Sequence, residues 1–392
     1  MKQQTFDPRS SFKPRILVIN SAQKWIGEAA YCLTLVQGLR SLGFFVILVC
    51  RKGNPLHQAA LREQIPHYCL RMKGKFTGID DLCDLLALYR IISRHHIDVI
   101  HCHRGKDHWL SACVRMLFPG KTRRIALVRT RHVTVPVKRH LFNRWLYKHA
   151  TDAVTAVSKS AAASLKGLPM KRPIHLIYGS VDSERFSPMK RSVEILPQCG
   201  IPESEPAGPL VGLIARIQRI KGQVVFIQAA PRILEKQPHA RFVISGTGAE
   251  ERKDILRMRA KQLGIHGRFV MAGYREDIER LIASLDVGVV ASLGSEGSSR
   301  IIMEYMASGV PVVATRVGGI PELLEQGDLG RLVDPGNPEQ LADAIIETIV
   351  NQEETKKMKE KALLKARGFL NIKRFLEETL QVYCEVLSHN IR

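Results

Sequence analysis

Long apolar runs, paired cysteines and, in the first half, acidic side chains are what this 392-residue sequence has little of. No stretch approaches the roughly 18 apolar residues that a spanning helix needs, so any membrane contact is expected to be peripheral. The opening MKQQTFDPRSSFKPR has no apolar core and is not expected to act as a secretory signal. None of the eight cysteines forms a CxxC pair. Most stand inside apolar runs, as reduced buried thiols do. Together these features lead us to expect a cytoplasmic chain, in contact at most with the inner face of the cytoplasmic membrane. Short repeats, low-complexity tracts, an RNA-binding signature and the interleaved aromatics of a base-stacking platform are also missing. Nucleic acid is therefore not an expected partner, despite a formal net charge of +22. The shortage of acids is local. Residues 1–200 hold 33 basic and 12 acidic side chains, and residues 201–392 hold 26 and 25. One half is expected to meet an anionic partner.

What is present is an alternation of short β-branched runs and amphipathic stretches. Strands are expected at 15–20, 44–50, 98–103, 125–129, 153–158 and 174–178, with helices at 28–42, 82–95 and 137–149. Such near-continuous apolar strands separated by helices indicate a parallel sheet covered on both faces. The pattern pauses over 186–208, where prolines cluster, and this stretch reads as a linker. It restarts with strands at 210–215, 242–245, 269–272, 287–291, 311–315 and 331–333, and with helices at 221–237, 250–263, 300–307 and 338–350. From residue 353 onward the chain reads as helix, with a break near Gly368 and Asn371. The expected fold class is α/β, two doubly wound Rossmann-like domains facing each other across a cleft. The first spans 1–185 and the second 209–365, and a terminal helix over 366–392 packs back on the first. Ligands of such sheets bind at the carboxyl ends of the strands.

Two segments carry chemistry. GSEGSSRIIMEYMASGVPVVAT, residues 294–315, reads as loop, helix, tight turn and buried strand. Gly297, Ser298 and Ser299 open the helix, where free amides and the positive dipole end suit a phosphate, and Arg300 adds a fixed charge. Glu304, about one turn along, suits the two hydroxyls of a ribose. Glu296, ahead of the helix, suits a sugar beyond the phosphates. In VGLIARIQRIKG, residues 211–222, Arg216 and Lys221 leave the end of a strand five residues apart. A planar fork and a mobile ammonium together can neutralise a diphosphate. Solvated glutamates and a solvated basic loop are the plainer readings of both segments.

These residues resemble the retaining GT-B glycosyltransferases of the "glycosyl transferases group 1" class. Glu296 and Glu304 make the Glu-x7-Glu signature, and Arg216 with Lys221 makes the Arg-x4-Lys clamp. Ser245-Gly246-Thr247-Gly248, Pro311–Thr315, Val317-Gly318-Gly319-Ile320-Pro321-Glu322 and Leu332-Val333-Asp334-Pro335-Gly336 match further motifs in order. The likeness is dense over 209–350 and thinner over 15–186. It implies transfer of a sugar from a nucleotide-sugar donor, used as co-substrate without a metal or other cofactor; the sequence has no DxD motif to hold one. It also implies that Arg216 and Lys221 hold the diphosphate, Glu304 the ribose, Glu296 the sugar, the Ser298–Arg300 amides the phosphates, and Tyr274 and Arg275 the nucleobase. Ser298 and Ser299 replace the commoner Phe-Gly of this loop. In the first half, Gly27 and Glu28 follow the first strand like the glycine-rich loop of the class, with Ile26 in place of its second glycine. His103 ends one strand, and His132 ends another where the class keeps a histidine near the transferring sugar. On residues alone, Gly27-Glu28 is equally an ordinary strand-to-helix turn and His132 a structural strand-end histidine. His101, His103 and His108 lack accompanying acids or CxxC pairs, and no metal is expected there.

Residues 101–150 hold twelve basic groups and one acid. Lys138, Arg139 and Arg144, near Trp145 and Tyr147, suit an anionic acceptor or an anionic membrane interface; the plainer reading is a solvated basic face. The expected acceptor is an anionic cell-envelope glycan or glycolipid, such as a lipopolysaccharide core. Two other classes fit parts of the pattern: a nucleotide-sugar epimerase or hydrolase on the same scaffold, and a basic binding protein without chemistry.

Overall fold

The computed structural model describes residues 13–74, 78–122, 125–192, 194–201, 208–294 and 296–390. The N-terminal residues 1–12, Arg123 and Arg124 of the basic stretch, and residues 202–207 of the proline-rich stretch lie outside the described residues. The chain forms two compact units, Met1–Gly179 with Ile372–Arg392, and Ser180–Asn371. Among the described residues no helix is long and apolar enough to cross a membrane.

In the first unit, β1 (Ile16–Asn20), β2 (Val46–Arg51), β3 (His67–Leu70), β4 (Val99–Cys102), β5 (Ala126–Arg131), β6 (Ala153–Ala156) and β7 (His175–Leu176) form a parallel sheet of order β3-β2-β1-β4-β5-β6-β7. All five residues of β1 are buried, because it lies inside the sheet with helices over both faces. On one face, α1 (Gly27–Ser41) and α2 (Pro55–Arg62) pack with the C-terminal helix Ile372–Asn390. On the other lie α3 (Ile79–His95) and α4 (Gly105–Leu117). The second unit repeats the plan with β8 (Leu210–Ile214), β9 (Arg241–Ser245), β10 (Phe269–Gly273), β11 (Val287–Val290), β12 (Val312–Thr315) and β13 (Arg331–Val333), in the order β10-β9-β8-β11-β12-β13. In both sheets the order reverses beside the first strand, the switch point at which doubly wound sheets bind ligands.

Three differences from the sequence reading bear on function. The helix expected over 137–149 is not continuous: Leu141–Trp145 is α-helical and Leu146–Ala150 widens to a π-turn. The Thr151 hydroxyl, donating to the Leu146 carbonyl at 2.8 Å, holds that wide turn. The 186–208 stretch, read as a linker, is docked on the second unit where it is described. The Ser192 amide donates to Ser284 Oγ at 3.2 Å, and Arg191 pairs with Asp286 at 3.3 Å. The units divide after Gly179 and after Asn371, where the sequence reading divides them after 185 and 365. The second division falls at the break between helices Gln352–Gly368 and Ile372–Asn390.

Candidate active site

In the second unit the motif residues gather at the carboxyl ends of the strands. The chain leaves β8 through Ala215 and Arg216 and turns back at Gly222, which has φ +68°. A Cβ on Gly222 would lie 1.8 Å from the Ala291 carbonyl oxygen, so only glycine lets this loop lie against the end of β11. The Leu293 amide then donates to the Ile220 carbonyl at 2.8 Å. This seam brings Lys221 to Glu296. The two form an ion pair in which Glu296 is buried, and the Ser292 hydroxyl donates to the same carboxylate oxygen at 2.6 Å. Thr315, at the end of β12, donates to the Ser292 carbonyl at 2.6 Å.

Backbone holds Glu296 from the other side. The Gly319 amide donates to its carbonyl at 2.8 Å, and Gly318, with φ +57°, approaches so closely that a Cβ would sit 1.8 Å from that oxygen. Gly297 and Ser299 are buried and Ser298 is half-buried. They lead into the helix Arg300–Ala307, which Ser299 precedes without a side-chain cap; the Ile302 amide donates to the Ser299 carbonyl at 3.1 Å, and the Arg300 and Ile301 amides have no partner among the described residues. Arg300 Nε donates to Glu304 Oε1 at 2.8 Å, one turn along. Tyr305 anchors the buried side of this helix: its hydroxyl accepts the Ile214 amide at 3.1 Å and donates to the Gly212 carbonyl at 3.4 Å, both in β8.

Arg216 stands apart from these pairs. It is half-buried, and its guanidinium has no hydrogen-bond or ion-pair partner among the described residues. Only its backbone carbonyl is engaged, by Gln223 Nε2 at 2.8 Å. Burial holds its pKa below the ordinary arginine range. A cation in that state is relieved by an anion. Beyond β10, Tyr274 is 63% exposed and available for stacking. Arg275 is committed instead: it forks onto Asp277 with two bonds of 2.9 Å and reaches the Gln198 carbonyl at 3.3 Å.

In the first unit the β1–α1 loop is fixed from three sides. Asn20 Oδ1 accepts the Ala22 amide at 2.7 Å, and Asn54 Nδ2 donates to the Ala22 carbonyl. Buried Asp107 accepts the Ser21 amide at 3.1 Å and the Arg104 amide at 2.9 Å, tying this loop to the end of β4. At Gly27 an added Cβ would meet nothing within 4 Å, so packing does not require glycine there. Glu28 is nearly buried, 3.5 Å from Arg104. Burial outweighs the nearby arginines and pushes its pKa up to about 7.

At the ends of β4 and β5, His103 Nδ1 and His132 Nε2 share a hydrogen bond of 2.9 Å. Burial pushes both well below the ordinary histidine range, so both are neutral at pH 7. His101 behaves likewise, at about 3; its two ring nitrogens meet Tyr383 Oη and Thr130 Oγ1, each at 2.6 Å. His108 lies on α4 and bonds Thr151 Oγ1 at 2.7 Å. Arg129 is buried beside this group with its Nε unpartnered, and its charge is among the causes that depress all four histidines. Sequence reasoning missed Arg129, Ser292 and Tyr305. An arginine inside the apolar run IALVRTR was the only signal for the first. Lys138, Arg139 and Arg144 are exposed around the Leu141–Trp145 helix. None of them bonds to Glu28, His103 or His132 among the described residues.

Two family models match the chain: Glycosyltransferase Family 4 over residues 27–185 and Glycosyl transferases group 1 over residues 208–351. Together they span most of it. The chain belongs to the group 1 glycosyl transferases. The transferase is 27% identical to the N-acetyl-alpha-D-glucosaminyl L-malate synthase of Bacillus anthracis, over 78% of this chain and 80% of that protein. It is 29% identical to a D-inositol 3-phosphate glycosyltransferase of Corynebacterium urealyticum, over 81% of each. Among solved structures, a glycosyltransferase from Rickettsia africae matches with a TM-score of 0.84 at 22% identity, covering 96% of this chain and 99% of that one. Anabaena HepE in complex with UDP and glucose matches with a TM-score of 0.79 at 21% identity, covering 95% and 100%. The fold of the transferase is GT-B.

Proposed function

We propose that this transferase moves a sugar from a nucleotide-sugar donor, with retention and without a metal, to an anionic acceptor. The observation that carries this reading is the half-buried guanidinium of Arg216, unpartnered among the described residues, on the same β8-to-helix loop as Lys221, which pairs with Glu296. Breaking the bond between the anomeric carbon and the phosphate leaves positive charge on the sugar and negative charge on the diphosphate. Arg216, Lys221 and the uncapped amides ahead of Arg300 oppose the second charge directly, already in place before it develops. Fixed cations of this kind do the work of a divalent ion. Glu296, held by Ser292 and by Gly319 N–H, positions the sugar, and Glu304 takes the ribose hydroxyls. The leaving diphosphate competes with Glu296 for Lys221, so donor binding loosens that pair. In the first unit, His132 is kept neutral by burial and its imidazole bonds a sugar hydroxyl; Gly27, Glu28 and His103 line the acceptor side. The UDP bound by Anabaena HepE supports a nucleotide-sugar donor.

The acceptor we favour is an anionic glycan or glycolipid met at an anionic membrane surface. Leu141 and Phe142, 81% and 71% exposed, stand beside Lys138, Arg139 and Arg144, an apolar tip among cations. A small soluble anionic acceptor is the second reading. It is favoured by the names of the relatives, which specify L-malate and D-inositol 3-phosphate.

A panel of nucleotide sugars, screened by thermal stabilisation, tests the donor half. A true donor at a hundredfold its dissociation constant stabilises by about 2.7 kcal/mol. Lys221→Ala and Glu304→Ala are expected to lose that response; wild-type donor affinity in both would contradict the assignment. Transfer assays with anionic vesicles present or absent separate the two acceptor readings, and free sugar released without any acceptor would favour a hydrolase.

A further inference from the structure

Three side chains that the transfer chemistry does not use meet at the edge of the first sheet. β3 is its outermost strand, with His67 opposite Leu48 and Cys69 opposite Cys50. Residues two apart on a strand share a face. Cys69 packs on the side that holds Leu56 and Ala60 of α2, while Tyr68 and Leu70 belong to the other side. His67 therefore lies under α2 as well. α2 carries His57, whose ring meets that of His67 edge-on with centroids 5.1 Å apart. One ligating atom from each of His57, His67 and Cys69 lies within 4.8 Å of the others, and all three residues are half-buried. Among the described residues no other group of three His, Cys, Asp or Glu is so placed.

The surroundings orient these groups. His67 Nδ1 is 2.8 Å from the Ile65 carbonyl. A carbonyl only accepts, so Nδ1 carries the proton and Nε2 keeps its lone pair, the arrangement of a metal-binding imidazole. His57 Nδ1 accepts the Gly53 amide at 3.1 Å, an exposed bond that water can take over when that lone pair turns to a metal. The Cys50 thiol backs Cys69 from the core side; burial pushes the Cys69 thiol up, and Cys50 and the Lys52 charge offset this only in part. The same lysine opposes a cation, which a deprotonated Cys69 offsets.

We propose that His57, His67 and Cys69 form a site for a thiophilic divalent transition-metal ion, Zn2+ foremost, with its fourth position open to solvent. Two imidazoles and a thiolate suit Zn2+ and Co2+, whereas Mg2+ and Ca2+ take oxygen ligands. His67 begins β3, whereas the transfer residues lie at carboxyl ends of strands. The ion thus acts as a clip between α2 and the edge strand and takes no part in sugar transfer.

Cobalt titration of the tag-free full chain, stripped with chelator and desalted, tests this. One Co2+ per chain should bind with a thiolate-to-cobalt charge-transfer band that Zn2+ abolishes. Cys69→Ser should lose the band, and the exposed-thiol control Cys83→Ser should keep it. His67→Ala and His57→Ala should each weaken binding at least tenfold, since loss of a mere supporting partner already costs that much. Zn2+ should also raise the unfolding midpoint of the wild type and not that of the variants. Should Cys69→Ser not fold, alkylation of wild-type Cys69, followed by mass spectrometry, should slow when Zn2+ is added. No charge-transfer band, the same band in Cys69→Ser, or alkylation of Cys69 indifferent to Zn2+ would overturn the proposal.

Discussion

Single residues here are informative through what they lack. Glu28 lacks a close counter-charge strong enough to offset its burial, so its folded-state pKa stands near 7, above the ordinary 4.5. A carboxyl raised in this way adds stability below pH 4.5 that is lost as pH rises through 7. The full effect is on the order of 3 kcal/mol, at about 1.4 kcal/mol per pH unit. Glu28→Gln carries no charge at any pH. It is expected to gain stability over the wild type at pH 8 and little at pH 4, measured by urea unfolding. A parallel gain at both would mean that the side chain, not its charge, is the source. The same carboxyl should give the acceptor KM an inflection near pH 7 that the variant loses. None of this was legible in the sequence, where Gly27-Glu28 reads equally as an ordinary turn; the shift comes from burial, which Arg104 and Arg129 oppose and Asp107 reinforces once the fold brings them in from the end of β4, from β5 and from α4.

Elements were legible where their periodicity was strong and illegible where it was short or interrupted. All six strands expected in the second unit are present, and Arg300–Ala307 and Pro338–Val350 begin and end as the sequence predicts. β3 was not read because it has four residues, two of them His67 and Cys69, and lies half-buried at the sheet edge. α2 went with it, although Asn54 caps it and Pro55 opens it. The 137–149 pattern looked like one amphipathic helix because periodicity does not register a π-turn. The break after Gly368 was legible, and it releases the last helix to the first unit. That helix is pinned by Tyr383, whose hydroxyl lies 2.6 Å from His101 Nδ1, and by Phe375 against Tyr31. Tyr383→Phe leaves a buried imidazole nitrogen without its partner and is expected to destabilise the first unit by about 1–3 kcal/mol. Chemical unfolding measures it; stability unchanged from wild type would mean that the helix docks by apolar packing alone.

At the scale of the whole molecule the uneven charge acquires an address. The first 200 residues carry a net +21 and the remainder +1, yet the cation proposed to meet the donor first, Arg216, belongs to the nearly neutral part. Donor and acceptor functions should therefore separate on mutation. Neutralising Lys138, Arg139 and Arg144 together is expected to lower affinity for anionic vesicles or acceptor, each charge contributing about 1 kcal/mol at such a surface. Nucleotide affinity should stay at the wild-type value, and equal loss of both would refute the separation. Arg216 is proposed to hold a charge that awaits the diphosphate. Calorimetric titration of UDP, GDP and ADP into the wild type and Arg216→Ala tests it most directly. At least one of the three should bind the wild type, and the variant should bind that nucleotide about tenfold to a hundredfold more weakly, the ~1.5–3 kcal/mol of a hydrogen bond to a charged group. Wild-type affinity in Arg216→Ala, or no binding of any of the three, would mean that Arg216 does not hold a donor diphosphate.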